Sequence, residues 1–199
     1  QQDHQKSIAI LVKARSHLQS IIPSLRKHNI EFQAIELENL YTKSIIHDLF
    51  SLTKALLDPM DRTAWLSVLR APWCGLTLTE LHELVDNQFD ISLLEQMVTS
   101  SHPRIKKLYT IFSHAYHHRQ RNDLDQQIKQ IWHDLNGPHC LTHQSEFEDA
   151  EQYFNLLAEY QNSGDLMDEI AFENELMKLY ANPQTTTKPH IQVMTIHKA

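Results

Sequence analysis

The first structural element in the sequence is a continuous apolar run, Ile8-Ala9-Ile10-Leu11-Val12. A short run without alternating polar residues is typical of a strand buried on both faces. A helical pattern follows to about His28, and the stretch from Ile30 to Leu37 again has the pattern of extended chain. Strand, helix and strand in this order predict the opening of an α/β unit.

The end of the sequence returns to the strand pattern. A polar linker from Asn182 to Pro189 precedes a second strand-like run, Ile191-Gln192-Val193-Met194-Thr195-Ile196. Buried strands need hydrogen-bonding neighbours, because their backbone groups cannot stay unpaired away from water. We therefore expect segments 8–13 and 191–196 to lie side by side in a small residual sheet.

The long segment between these strands has a helical period. Ile45, Leu49, Leu52 and Leu56 form one stripe of a helix that should end near Asp58-Pro59. Similar patterns predict helices at about 61–70, from the capping-box pair Thr77 and Glu80 onward, and at about 91–99, 103–120, 123–136, 145–162 and 166–181. The predicted fold is mainly α: residues 1–37 and 186–199 form a small α/β portion, and residues 38–185 form a helical insertion.

Glycine is scarce in this chain. Three of its 199 residues are glycine, where average usage of about 7% would give roughly 14. The GxGxxG and GxxxxGK[ST] phosphate-binding loops both need several glycines close together, and neither pattern occurs. The sequence therefore has no recognisable nucleotide-binding loop of its own.

Charge is unevenly distributed along a chain of formal net charge −7. Residues 102–121 contain five Lys and Arg and no acid, whereas residues 145–175 contain ten acids and no Lys or Arg. One interpretation is two solvated helix faces that attract each other. The other is a basic face for phosphates and an acidic face turned elsewhere.

Cysteine content and hydropathy bear on the compartment. The two cysteines, Cys74 and Cys140, form no CxxC pair, which favours a reducing environment. No apolar run approaches the roughly 20 residues that span a bilayer, and the first residues lack the apolar core of a signal peptide. We expect a cytoplasmic location and no membrane partner.

Candidate catalytic and metal-binding patterns are weak. The segment from His139 to His143 is dense in potential ligands, but a structural zinc site needs four, and no second cluster of suitable spacing follows. The pairs His47-Asp48 and His133-Asp134 have no evident partner set, and no GxSxG elbow occurs. The sequence predicts no catalytic residue and no metal ligand in this chain.

Several segments resemble one family. The C-terminal run from Ile191 to Ala199 resembles motif V of the UvrD/RecB-like superfamily 1 DNA helicases. The run from Ala9 to Arg15 is similar to that family's motif IVa, with Lys13 in the position of its arginine and Arg15 in the position of its asparagine. Residues 32–35, 46–61 and 69–76 are similar to the start of the helical 2B insertion, and the stretch from Ala64 to Gly75 is closest to RecB/AddA-like exonuclease helicases.

The resemblance implies a function for the parent protein. It implies an ATP-dependent and Mg²⁺-dependent DNA helicase, with an exonuclease or a partner nuclease subunit, acting in DNA repair or recombination on single- and double-stranded DNA. This segment would engage DNA and regulate the motor, would bind no cofactor itself and would be inactive alone. The nucleic-acid-binding residues that the resemblance implies are Lys13, Arg15, Gly75, Thr77, Thr195, His197 and Lys198.

Three alternatives stay open. The loop from Ala71 to Thr77 either holds duplex phosphate, using the free amides at the start of a helix, or is a structural turn with Trp73 in the core. Likewise Thr195 and His197 either contact a single strand or merely finish a strand of the sheet. At the level of the whole chain, the rival to a DNA-engaging domain is a helical scaffold whose acidic face docks a partner subunit.

Overall fold

A computed structural model describes residues 8–13, 17–28, 30, 32–34, 39–85, 90–118, 123–163, 169–181 and 191–196. Most of these residues are helical, and a small sheet is built from the two ends of the chain. The predicted fold class, mainly α with a small α/β portion, is confirmed. The predicted domain boundaries at 37/38 and 185/186 lie outside the described residues.

The sheet has three parallel strands in the order β1-β3-β2, namely β1 (Ile8–Val12), β2 (Gln33–Ala34) and β3 (Ile191–Thr195). The C-terminal strand lies between the two N-terminal ones. The expected pairing of the two ends of the chain is therefore confirmed. The expectation that the first strand is buried on both faces is wrong, because Ile8 and Leu11 are exposed and only Val12 is buried. Helix α1 (Leu18–Lys27) packs on the sheet, where Leu18 joins Val12 and Val193 in a small buried cluster.

The helical part comprises eight α-helices among the described residues. They are α2 (Ser44–Leu57), α3 (Arg62–Arg70), α4 (Leu78–Leu84), α5 (Leu93–Thr99), α6 (Pro103–His118), α7 (Leu124–Asp134), α8 (Gln144–Ser163) and α9 (Glu169–Leu176). Helix α2 is central, because it packs against α3, α7 and α8. Its predicted apolar stripe is buried and its predicted end is confirmed, since the helix is capped by Asp58. No helix in the described part of the chain combines the length and apolarity needed to cross a membrane.

Tryptophan and phenylalanine rings fill the core of the helical part. Trp65 and Trp132 are completely buried, and the Trp65 ring meets the Phe112 ring edge-on at a centroid distance of 5.2 Å. A Cβ atom on Gly137 would lie 2.0 Å from the Trp132 ring, so the turn after α7 requires glycine there. These tryptophans stabilise the core and do not form a base-stacking surface.

The chain enters and leaves the helical part at one point. The Leu40 N–H donates to the Leu179 carbonyl at 2.9 Å, and Asn39 forms an antiparallel bridge with Tyr180. The Tyr41 hydroxyl donates to Glu173, and this hydrogen bond raises the pKa of Tyr41 to about 12. These contacts join the segment that precedes α2 to α9 and the segment that follows it, although the two are far apart in sequence.

Candidate nucleic-acid interface

The first group of predicted contact residues lies at one end of the sheet. The parallel register places Val12 opposite Thr195, and the Ile196 N–H donates to the Val12 carbonyl at 3.0 Å. Lys13, which follows Val12 and is exposed, therefore lies at the same sheet end as Thr195. The carboxyl ends of parallel strands are where α/β sheets usually bind ligands. Three further residues expected at this end, Arg15, His197 and Lys198, lie outside the described residues.

The second group lies in the loop between α3 and α4. The N–H groups of Cys74 and Gly75 both donate to the Ala71 carbonyl, at 3.0 and 2.7 Å. Gly75 has a φ of 58°, a left-handed conformation that glycine adopts without steric cost. Trp73, Cys74 and Leu76 are buried and anchor the loop on the core. The loop is therefore a tightly hydrogen-bonded turn with an exposed flank.

Helix α4 begins with the capping box that the sequence predicts. The Thr77 hydroxyl accepts from the Glu80 N–H at 3.2 Å, and the Glu80 carboxylate accepts from the Thr77 N–H at 2.6 Å. These Thr77 hydrogen bonds hold the pKa of Glu80 below its usual value, with help from the charges of His102 and Arg104. The Thr77 amide is thus engaged within its own chain, so an approaching phosphate would meet a carboxylate there.

Two guanidinium groups flank this loop. A Cβ atom on Gly75 would lie 2.8 Å from Nη2 of Arg104, so the Arg104 side chain from the first turn of α6 lies against the Gly75 backbone. On the other side, Nη1 of Arg70 donates to the Leu76 carbonyl at 2.8 Å. The sequence shows the basic segment that contains Arg104, but it does not predict the contact of Arg104 with Gly75. That contact joins α6 to a loop about thirty residues earlier, and no local pattern indicates it.

Burial raises the pKa values of two groups near the core side of the loop. Burial raises the pKa of the Cys74 thiol far above its usual value, so the sulfur stays protonated and a poor nucleophile at neutral pH. Burial also raises the pKa of Asp48 to about 6. His139 and Cys140 lie in a short 3₁₀ turn, Gly137–Cys140. Within the described residues, no three potential ligands are arranged to hold a metal ion.

The architecture defines a class of protein. Its small parallel sheet takes strands from both ends of the chain, and a long helical segment separates those strands in the sequence. The whole chain, residues 1–199, matches the family model described as UvrD-like helicase C-terminal domain, and the chain belongs to that family. A comparison with curated proteins gives no match. The UvrD-like part of the predicted resemblance is confirmed, and its RecB-like and 2B details stay predictions.

Proposed function

We propose that this chain is the DNA-engaging and regulatory part of an ATP-dependent DNA helicase that acts in DNA repair or recombination. The observation that carries the proposal is the match to the UvrD-like helicase C-terminal domain over the full length of the chain. The similarity of residues 64–75 to RecB/AddA-like enzymes favours a parent with an exonuclease or a partner nuclease subunit.

The sheet end is proposed to contact single-stranded DNA. Lys13 is exposed there, beside the end of β3 that contains Thr195. Together with Arg15, His197 and Lys198, these residues offer ammonium, guanidinium, hydroxyl and imidazole groups. All of these groups donate hydrogen bonds to phosphate or sugar oxygens, and such contacts position a strand without reading its sequence.

The loop from Ala71 to Thr77 is proposed to contact the phosphates of duplex DNA. Gly75 has no side chain to keep a phosphate away from the backbone, and the Arg104 guanidinium lies beside it. Because the Glu80 carboxylate already accepts the Thr77 N–H, the favourable charge at this loop comes from Arg104. The proposed role of Thr77 is to hold the loop against α4.

ATP and Mg²⁺ belong to the parent enzyme in this proposal. The chain lacks a glycine-rich phosphate loop, so its residues do not fit a nucleoside triphosphate with its metal ion. When bound elsewhere in the parent, the nucleotide supplies the free energy for movement along DNA. This chain's own residues would hold the strand and the duplex while that movement occurs, and the isolated chain would not hydrolyse ATP.

Fluorescence anisotropy with labelled single-stranded and duplex oligonucleotides tests the proposal, at several salt concentrations. We expect binding of both DNAs that weakens steeply with salt, because each phosphate contact releases counterions. Calorimetry of the same chain with Mg²⁺ and ATP should give no stoichiometric binding. Absence of DNA binding, together with salt-insensitive capture of a partner subunit, would favour the acidic scaffold instead.

A further inference from the structure

We propose that the exposed face of α6 binds the sugar-phosphate backbone of duplex DNA. Through Arg104, this face and the loop at Gly75 form one continuous DNA-binding surface. This inference rests on the proposed DNA-binding function and adds a surface to it. The exposed polar side chains of this face, hereafter the α6 basic face, are Arg104, Lys106, Lys107, Thr110, His114 and His117.

The period of α6 separates its apolar and basic residues. Ile105, Leu108 and Phe112 are buried, and α6 packs against α5 and α7. Lys106, Lys107, His114 and His117 are exposed on the opposite side of the helix, and Arg104 lies at the boundary beside Gly75. The helix contains no acid. The α6 helix therefore has a local excess of positive charge, whereas the whole chain has a net charge of −7.

The lysines of the α6 basic face take no part in the ion pairs among the described residues. Within the part of the chain that the structure describes, Lys106 and Lys107 make no ion pair, whereas other lysines do. Lys129 of α7, for example, pairs with Glu151 of α8 at 2.7 Å. Helix α7 packs against both α6 and α8. The acidic helix α8 therefore forms this ion pair with a lysine of α7 and not with a lysine of α6.

Arg104 makes the α6 basic face continuous with the Gly75 loop. Its guanidinium lies against the Gly75 backbone. The nearby Glu80 carboxylate lies 3.4 Å from Nε2 of His102, measured from Oε1. The 16 residues of α6 extend about 24 Å, at a rise of 1.5 Å per residue. That length exceeds the spacing between neighbouring phosphates several times, so the face spans more than one phosphate of a duplex. The surface therefore suits a polymer of repeating charge better than a single anion.

The composition of this face favours nucleic acid over an acidic protein. Protein interfaces have an apolar or aromatic centre, whereas DNA interfaces are polar and strongly positive. Among the described residues, none of the large apolar side chains that are exposed belongs to α6. The α6 basic face accordingly offers charge and hydrogen-bond donors without an apolar centre.

The test compares two charge-matched double variants of the full chain by anisotropy with labelled duplex DNA. Lys106→Glu with Lys107→Glu changes the α6 basic face. Lys27→Glu with Lys178→Glu changes the net charge equally at exposed lysines outside α6. We expect the α6 pair to weaken duplex binding by about tenfold or more, and to reduce the slope of log affinity against log salt by about two. The control pair should leave that slope unchanged.

Each other outcome overturns a specific claim. Unchanged duplex affinity in a folded α6 variant, with DNA binding by the unmodified chain, would overturn the α6 proposal and leave the proposed function intact. If both variants lose the same duplex affinity, the loss depends only on net charge, and this outcome would also overturn the α6 proposal. Binding of a labelled polyglutamate peptide is measured in the same assay. If the α6 variant loses polyglutamate binding but keeps its duplex affinity, the face binds an acidic protein and the proposal is overturned. No DNA binding by the unmodified chain would overturn both proposals.

Discussion

Arg104 and Gly75 pack against each other: Nη2 of the Arg104 guanidinium lies only 2.8 Å from the position that a Cβ atom on Gly75 would take. The contact depends on the absence of a side chain and on a left-handed backbone, since the φ of Gly75 is 58°. It fixes the first turn of α6 against the turn between α3 and α4. One substitution should therefore disturb both elements.

Replacing Gly75 with alanine should destabilise the domain by on the order of 1–2 kcal/mol, because an L-residue in left-handed conformation costs about that much. The displaced Arg104 adds to this cost. Urea denaturation of both proteins measures the difference in free energy of unfolding.

A double-mutant cycle separates these two causes. In an Arg104→Ala background the Gly75→Ala substitution keeps the backbone strain but loses the collision, so its cost should fall. An equal cost in both backgrounds would contradict the contact between these residues.

A second prediction concerns the pH dependence of stability. Burial raises the pKa of Asp48 from 3.8 to about 6 in the folded protein. Between about pH 4 and 6 the folded state binds more protons than the unfolded state, so the contribution of Asp48 to stability is greatest below pH 4 and is lost as the pH rises. Asp48→Asn should therefore stabilise the protein at pH 7.5, by about 1 kcal/mol because solvent screens this half-buried carboxylate.

Thermal unfolding from pH 4 to 8 measures this effect. The Asp48→Asn protein should lose part of the decline in Tm between pH 4 and 6. The matched control is Asp90→Asn at an exposed position, which should follow the unmodified protein throughout. Parallel curves for all three proteins would mean that Asp48 is ionised in the folded state at pH 5.

Local signals in the sequence predicted many elements correctly. The end of α2 at Asp58 and the Thr77–Glu80 capping box follow from patterns within a few residues, and both are confirmed. The pairing of β1 with β3 was predictable because strand backbone groups need hydrogen-bonding partners, although the extent of β1 burial was overestimated. Contacts between distant segments were not predictable, since no local pattern encodes them. The Arg104–Gly75 contact and the Leu40–Leu179 hydrogen bond are of this kind.

A third prediction tests the capping box at the start of α4. Thr77→Ala removes the hydroxyl that accepts from the Glu80 N–H, and such a loss typically costs about 1 kcal/mol. Thr77→Ser keeps the hydroxyl and should retain most of that stability. Urea denaturation of the three proteins provides the comparison. A serine variant as unstable as the alanine variant would show that the threonine methyl group, and not the hydrogen bond, stabilises this position.

The last prediction tests the sheet end as a single-strand contact. Lys13 is exposed beside the end of β3, and Lys27 is an exposed lysine in α1 that serves as its matched control. If the Lys13 ammonium binds a phosphate, Lys13→Gln should weaken single-stranded DNA binding severalfold at low salt. It should also reduce the slope of log affinity against log salt by about 0.7, the value for one contact on a single strand. Lys27→Gln should leave both quantities unchanged in the same anisotropy titrations. Because Lys13 follows the strand and lies outside the cluster formed by Val12, Leu18 and Val193, neither substitution should lower Tm. Equal affinities for the Lys13 and Lys27 variants, measured at low salt, would leave Lys13 as an ordinary solvated residue at the end of β1.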